Sequence, residues 1–146
     1  MKSIEIQPGL WIGDEKAACN KNFIQSNNIQ IRINCNQYLN YSSHKYKSPV
    51  KEKIVANEVR HTIQFFEKIT QYMYRNLKNF NNLFIYCHND LHISISVIIA
   101  FLMRYGKMTK ACAVHLLKSK IPKMVIADVS NQSLDVFDKI LLKKVS

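Results

Sequence analysis

Glycine and proline are scarce in this chain, with three of each in 146 residues. No Pro/Gly/Ser linker, repeat or low-complexity block divides it, so one domain over residues 1–146 is expected. The cysteines Cys19, Cys35, Cys87 and Cys112 form no C-x-x-C pair. Single thiols argue against a disulfide framework and for a reducing compartment. No apolar stretch reaches the roughly 18 residues of a membrane span, and the opening M-K-S-I-E-I-Q lacks the apolar core of a secretory signal. A cytoplasmic protein with no membrane contact is the expectation. Acidic residues are also few: 10 Asp and Glu stand against 21 Lys and Arg.

What is present suits an ordinary globular domain. Hydrophobic residues make up 47% and charged residues 21% of the chain, and a chain of this length buries roughly 68–70% of its unfolded surface. Folding therefore calls for no disulfide, metal or cofactor. Three of the cysteines, Cys19, Cys35 and Cys112, have apolar neighbours and read as small core residues. The net charge of +11 favours acidic partners: nucleic acid, anionic membrane, or phosphorylated or acidic protein surfaces. The lysines are scattered, however, with short clusters at Lys118, Lys120 and Lys123 and at Lys143 and Lys144. Abundant Asn, Ile, Lys and Tyr fit an AT-rich genome, such as that of a large DNA virus or a protist. Part of the positive charge is then compositional, which weakens the case for a dedicated nucleic-acid function.

Turn chemistry at Pro8-Gly9 separates short strands at 4–7 and 10–12. Asp14 suits the cap of a helix running to about Asn27, with Ala17, Ala18, Phe23 and Ile24 inward. I-Q-I-R-I-N-C alternates as a strand does, with Arg32 and Asn34 on a polar face. Residues 36–53 read as a loop. A helical period then runs through Val59, Ile63, Phe66, Ile69 or Thr70, Met73 and Leu77, capped by Asn57 and stopped near Asn79. Leu83 to Tyr86 is a continuously apolar, buried strand, and Ser94 to Tyr105 a nearly all-apolar helix. Gly106 ends that helix. Thr109 and Ser130 suit the caps of two more, the first running to Lys118 before Pro122 and the second to about Lys143. The alternation predicts an α/β fold with a central, mostly parallel sheet flanked by helices.

Between the buried strand and the buried helix lies Y-C-H-N-D-L-H-I-S, residues 86–94. A loop at a helix N-terminus gathers backbone N–H groups and the positive end of the helix dipole, which suits a phosphate and stabilises a thiolate at Cys87. Such a loop also suits a plain buried strand-end cysteine, and the residues alone leave both readings open.

The stretch lies where dual-specificity, cysteine-dependent protein phosphatases carry His-Cys, two variable residues, Gly, a variable residue, Ser or Thr, Arg, and Ser or Thr. The resemblance extends over nearly the whole chain. I-Q-P-G-L-W-I-G-D-E-K-A-A resembles the family's opening strand pair, N-N-I-Q-I-R-I-N-C its next strand and S-P-V-K-E its acid-loop region. I-S-V-I-I-A-F-L-M-R-Y-G-K-M-T-K-A-C-A-V-H-L-L-K-S-K-I-P is similar to the helix pair after the phosphate loop, and N-Q-S-L-D-V-F-D-K-I-L-L to the closing helix. It implies a dual-specificity phosphatase-like fold and a phosphate loop formed by Cys87, His88, Asn89, Asp90, Leu91, His92 and Ile93. Cys87 takes the nucleophile position, where a thiolate attacks phosphorus, and Ser94 the hydroxyl that assists departure of that thiolate. Glu52 falls on or beside the general-acid position.

Four departures surround that one anion site. Ile93 replaces the arginine expected six residues after the cysteine, and isoleucine cannot hold two phosphate oxygens bidentately. Removing a charge clamp of this kind costs on the order of 10³–10⁵ in rate. Asp90 replaces the loop glycine and opposes a dianion, Tyr86 replaces the histidine before the cysteine, and His92 the small hydroxyl residue before the arginine. The implied function is that of a pseudophosphatase, a catalytically inactive protein-binding module acting on a phosphoprotein, kinase or active phosphatase. Two alternatives use the same residues: a weak phosphatase in which His88, His92 or a lysine substitutes for the arginine, and an RNA-binding or RNA triphosphatase relative. Cys87, His88, Asp90 and His92 are also metal-ligand types, but their spacing matches no zinc pattern, so no metal is expected.

Overall fold

A computed structural model describes residues 3–35, 59–87 and 92–145. The expected loop at 36–53, the expected cap Asn57, and Glu52, His88, Asn89, Asp90 and Leu91 lie outside the described residues. Strands β1 (Ser3–Gln7) and β2 (Leu10–Gly13) pair antiparallel across the Pro8-Gly9 turn. Gly9 is required there: its φ is +87°, and a Cβ would meet Asn82 Oδ1 at 2.8 Å. Its carbonyl accepts from Leu83 N at 2.7 Å, which ties the turn to the start of β4 (Asn82–Tyr86). β3 (Ile29–Asn34) and β2 both run parallel to β4, giving the sheet order β1-β2-β4-β3. The mostly parallel sheet expected from sequence is thus present, with its buried strand at an interior position.

The helices among the described residues follow the sequence pattern with two adjustments. The single helix expected from Asp14 to Asn27 is two short ones, α1 (Glu15–Ala18) and α2 (Lys21–Ser26). Asp14 caps the first, accepting from Ala17 N at 2.8 Å, but Asn20 then caps the second by accepting from Phe23 N at 3.1 Å. A side chain that competes with the backbone for a helix's free N–H groups restarts the helix at its own position. α3 (Val59–Lys78) carries Phe66, Ile69, Thr70 and Met73 on its buried face. α4 (His92–Arg104) is buried nearly throughout from Ser94 to Met103. Thr109 caps α5 (Lys110–Lys120) through Cys112 N at 3.2 Å. The last helix, α6 (Asp128–Val145), starts ahead of Ser130, which therefore does not cap it. Asp128 in the first turn complements the dipole, and the Ala127 carbonyl already accepts from Asn131 N at 2.8 Å.

Two apolar layers sandwich the sheet. On one side Ile12, Ile31, Ile33, Leu83 and Ile85 face α3, α4, α5 and α6. On the other, Phe84 and Tyr86 pack with Ala17, Ala18 and Ile29 beneath α1 and α2. The polar face expected of β3 survives there because Arg32 donates to the Ala18 carbonyl at 2.8 Å. Arg104 joins α4 to α3 by donating to the Glu67 carbonyl at 2.9 Å and to Thr70 Oγ1 at 3.2 Å. Cys19 and Cys112 are exposed rather than buried, a correction to the sequence reading; Cys35 is buried as expected. Cys19 follows the last residue of α1, and Cys112 sits one step around α5 from the buried Ala113, so neither side chain is carried into the core. Among the described residues no helix is long and apolar enough to cross a membrane.

Candidate functional site

The end of β4 delivers Cys87, and the first turn of α4 delivers Ile93 and Ser94. Inward-facing residues alternate along β4, so Leu83, Ile85 and Cys87 join the main core while Phe84 and Tyr86 face the opposite layer. Tyr86 is thereby a packing residue, 6.1 Å from the Phe84 ring centroid and beneath α1. It stands where the family's histidine is expected, but its ring belongs to the other side of the sheet.

Ile93 is half-buried and packs against the main core. Its carbonyl accepts from Ser96 Oγ at 2.8 Å, an interaction that closes the first turn of α4. An apolar side chain near the N-terminus of a buried helix gains by turning toward that core. It supplies no charge and no N–H donor to an anion, whichever way it turns. His92 opens α4 as a backbone position.

Ser94 is fully buried, with its hydroxyl beside the Cys35 thiol. Its surroundings include a residue that sequence reading did not associate with the site: Cys35, which follows β3. The Cys35 N–H donates to the Tyr86 carbonyl at 2.7 Å, so the parallel register Asn34↔Tyr86 continues into the Cys35–Cys87 pair. Burial pushes the Cys35 thiol well above its usual range, the neighbouring Cys87 pushes it further, and the Ser94 hydroxyl partly offsets both. The site therefore brings together two buried thiols and a buried hydroxyl. The signal that finds Cys35 is the inward alternation of I-Q-I-R-I-N-C, but it becomes a site residue only once β3 is known to lie beside β4. No group of three or more metal-ligating residues forms among the described residues.

Comparisons with known proteins follow the same architecture. Residues 10–137 match the family described as "Dual specificity phosphatase, catalytic domain". A probable dual specificity protein phosphatase of Dictyostelium discoideum is 25% identical over 144 residues, an overlap covering 91% of this chain and 63% of that protein. The chain thus spans a little under two thirds of that relative's length. Human DUSP28 superimposes with a TM-score of 0.83 at 17% identity, over 97% of this chain and 96% of its own. A human tyrosine phosphatase-like serine/threonine/tyrosine-interacting protein gives 0.76 at 18%, over 97% and 98%. A leucine rich repeat and phosphatase domain containing protein of Entamoeba histolytica gives 0.71 at 18%, over 99% and 96%. With the family's match running from the first residue of β2 into α6, the chain belongs to the dual-specificity phosphatase catalytic-domain family.

Proposed function

We propose that this chain is a pseudophosphatase: a dual-specificity phosphatase fold whose phosphate loop no longer holds its anion, and which acts by binding a protein partner. The observation that carries this reading is Ile93. By the sequence resemblance it takes the position of the family's phosphate-binding arginine, and it is half-buried against the core. A phosphoryl-transfer site depends on positioning and charge neutralisation, and without the clamp a thiolate at Cys87 has no substrate held in line. Asp90 adds negative charge to the same loop in sequence. With that loop repelling phosphate, recognition falls to another face. The exposed Lys118 and Lys123 at the end of α5 suit an acidic protein surface, whether on a phosphoprotein, a kinase or an active phosphatase.

Incubation with an aryl phosphate and with phosphotyrosine peptides, beside a Cys87→Ser control, tests this. The expected result is equal, background turnover by both proteins. Turnover that disappears with Cys87→Ser would make the chain an enzyme, a weak phosphatase rather than a pseudophosphatase.

A further inference from the structure

Away from the strand ends, the turn from α4 into α5 lies against the last turns of α6 and leaves a recess of about 470 Å³. Its floor is apolar: Met103 is 3% exposed, and Met108 and Leu141 are partly buried against the main core. Leu142, the next residue of α6, lines the same recess yet is 58% exposed, so most of the gain from burying it is unspent. Cations surround this floor. Arg104 is held in place by its bonds to the Glu67 carbonyl and Thr70 Oγ1, while Lys107 and Lys144 are exposed. Asp138 is the one carboxylate among the lining residues. From Asp138 to Lys144 the axis of α6 advances about 9 Å, room for two or three side chains of a partner laid alongside it.

We propose that this recess is a docking groove for an acidic amphipathic helix of a protein partner, with two or three apolar anchors seated on Met103, Met108 and Leu141 and carboxylates meeting Lys107, Lys144 and Arg104. Leu142 closes over the anchors and loses its exposure on binding. Depth and charge select this occupant. A recess is filled by protruding side chains, which the flat face of a bilayer does not present. Nucleic acid brings phosphates to the lysines but leaves the methionines and leucines without an apolar partner. A second copy of this chain carries the same charge of +11 and is repelled. An amphipathic helix satisfies both parts of the groove, and the unbranched, polarizable methionines adapt to anchors of different shape. The inference rests on the protein-binding part of the proposed function and needs nothing of its catalytic part. It names a surface at the opposite end of α5 from Lys118 and Lys123.

The probe is a fluorescein-labelled peptide of about 15 residues, with leucines at i, i+3, i+4 and i+7 and glutamates on its other faces, titrated against the full chain by anisotropy. Saturable binding that weakens as salt rises is expected. Leu142→Ser should weaken it roughly 10-fold, the burial of one leucine side chain read as affinity. Lys107→Asn with Lys144→Gln should weaken it about 5-fold; Lys107 holds a φ of 58°, which asparagine tolerates, so the turn is kept. Removing the same charge beyond the opposite face of the sheet, with Lys16→Gln on α1 and Lys21→Gln on α2, should leave the affinity within about twofold. A peptide with lysine in place of glutamate should bind at least ~10-fold more weakly. The substituted side chains are all exposed, so each variant is expected to fold. Undiminished affinity in Leu142→Ser, equal weakening by the Lys16 and Lys21 pair, or no saturable binding would overturn the groove, whereas the pseudophosphatase reading fails only in its own turnover assay. Binding of phosphatidylserine vesicles or single-stranded RNA in place of the peptide, lost in Leu142→Ser, would overturn it in favour of a lipid or nucleic-acid occupant.

Discussion

On the pseudophosphatase reading, supplying an arginine clamp at position 93 is the perturbation with the largest expected effect. In an Ile93→Arg, Asp90→Gly double variant the arginine must leave the core contact that Ile93 makes. Full burial of an isoleucine contributes roughly 1.5–3 kcal/mol, so surrendering a half-buried one costs about 1 kcal/mol. A domain of this size then melts about 2–4 °C lower and stays folded at 25 °C. Against that cost, Asp90→Gly removes a like charge that opposes a phosphate dianion by roughly 4 kcal/mol per charge pair at 4 Å and an effective dielectric of 20. The guanidinium adds a bidentate clamp that acts most strongly in the transition state, on the order of 10³–10⁵ in rate. Hydrolysis of an aryl phosphate, compared with a triple variant that also carries Cys87→Ser, should rise by at least ~10³ and depend on the thiol. A folded double variant that neither binds phosphate nor turns it over would refute the reasoning. Binding without turnover would move the fault to the general acid, where Glu52 is the residue to change.

Two further outcomes follow from the core and the turns. Phe80 is 92% exposed and holds a φ of 64° where α3 ends, with Asn81 N donating back to the Asn76 carbonyl at 2.9 Å. Glycine takes that left-handed position without strain, so Phe80→Gly should stabilise the fold by about 1 kcal/mol in chemical denaturation; an unchanged midpoint would deny the strain. The raised Cys35 pKa links stability to alkaline pH. The unfolded thiol ionises near about 8.5 while the folded one remains neutral. A neutral form held in the fold means that stability is fully present below the unfolded pKa and is lost as pH rises toward the folded one, by up to about 1.4 kcal/mol per unit. Urea unfolding at a series of pH values should show a steeper alkaline decline in wild type than in Cys35→Ala, and parallel curves would contradict it.

Much of this architecture is legible in the chain itself. The run Leu83 to Tyr86 reads as a buried strand because both its faces are covered, and the nearly uncharged α4 reads as buried for the same reason. The Pro8-Gly9 turn and the Thr109 cap carry their own local chemistry. The break between α1 and α2 is also local, in Asn20, but a second cap within an apolar-periodic stretch competes with the helix it interrupts. Ser130 misleads in the opposite direction, since a good capping residue two places inside a helix start looks the same in sequence as one that caps. The candidate site is harder to assemble. Cys87, Ile93 and Ser94 are close in sequence and fall together, whereas Cys35 joins them only through the parallel pairing of β3 with β4. Its contribution depends on a non-local register that no spacing along the chain reveals.

If the loop after Cys87 has lost its oxyanion, tungstate should find no site there. This tetrahedral oxyanion has phosphate's shape and needs no catalysis to bind, so thermal melting of the wild-type protein over a tungstate concentration series is a direct test. The melting temperature is expected to stay flat into the millimolar range. A ligand bound at 100 times its Kd adds about 2.7 kcal/mol, enough to raise the melting temperature by several degrees. A saturable rise of that size would show the cradle intact and contradict the loss of phosphate binding on which the pseudophosphatase reading rests.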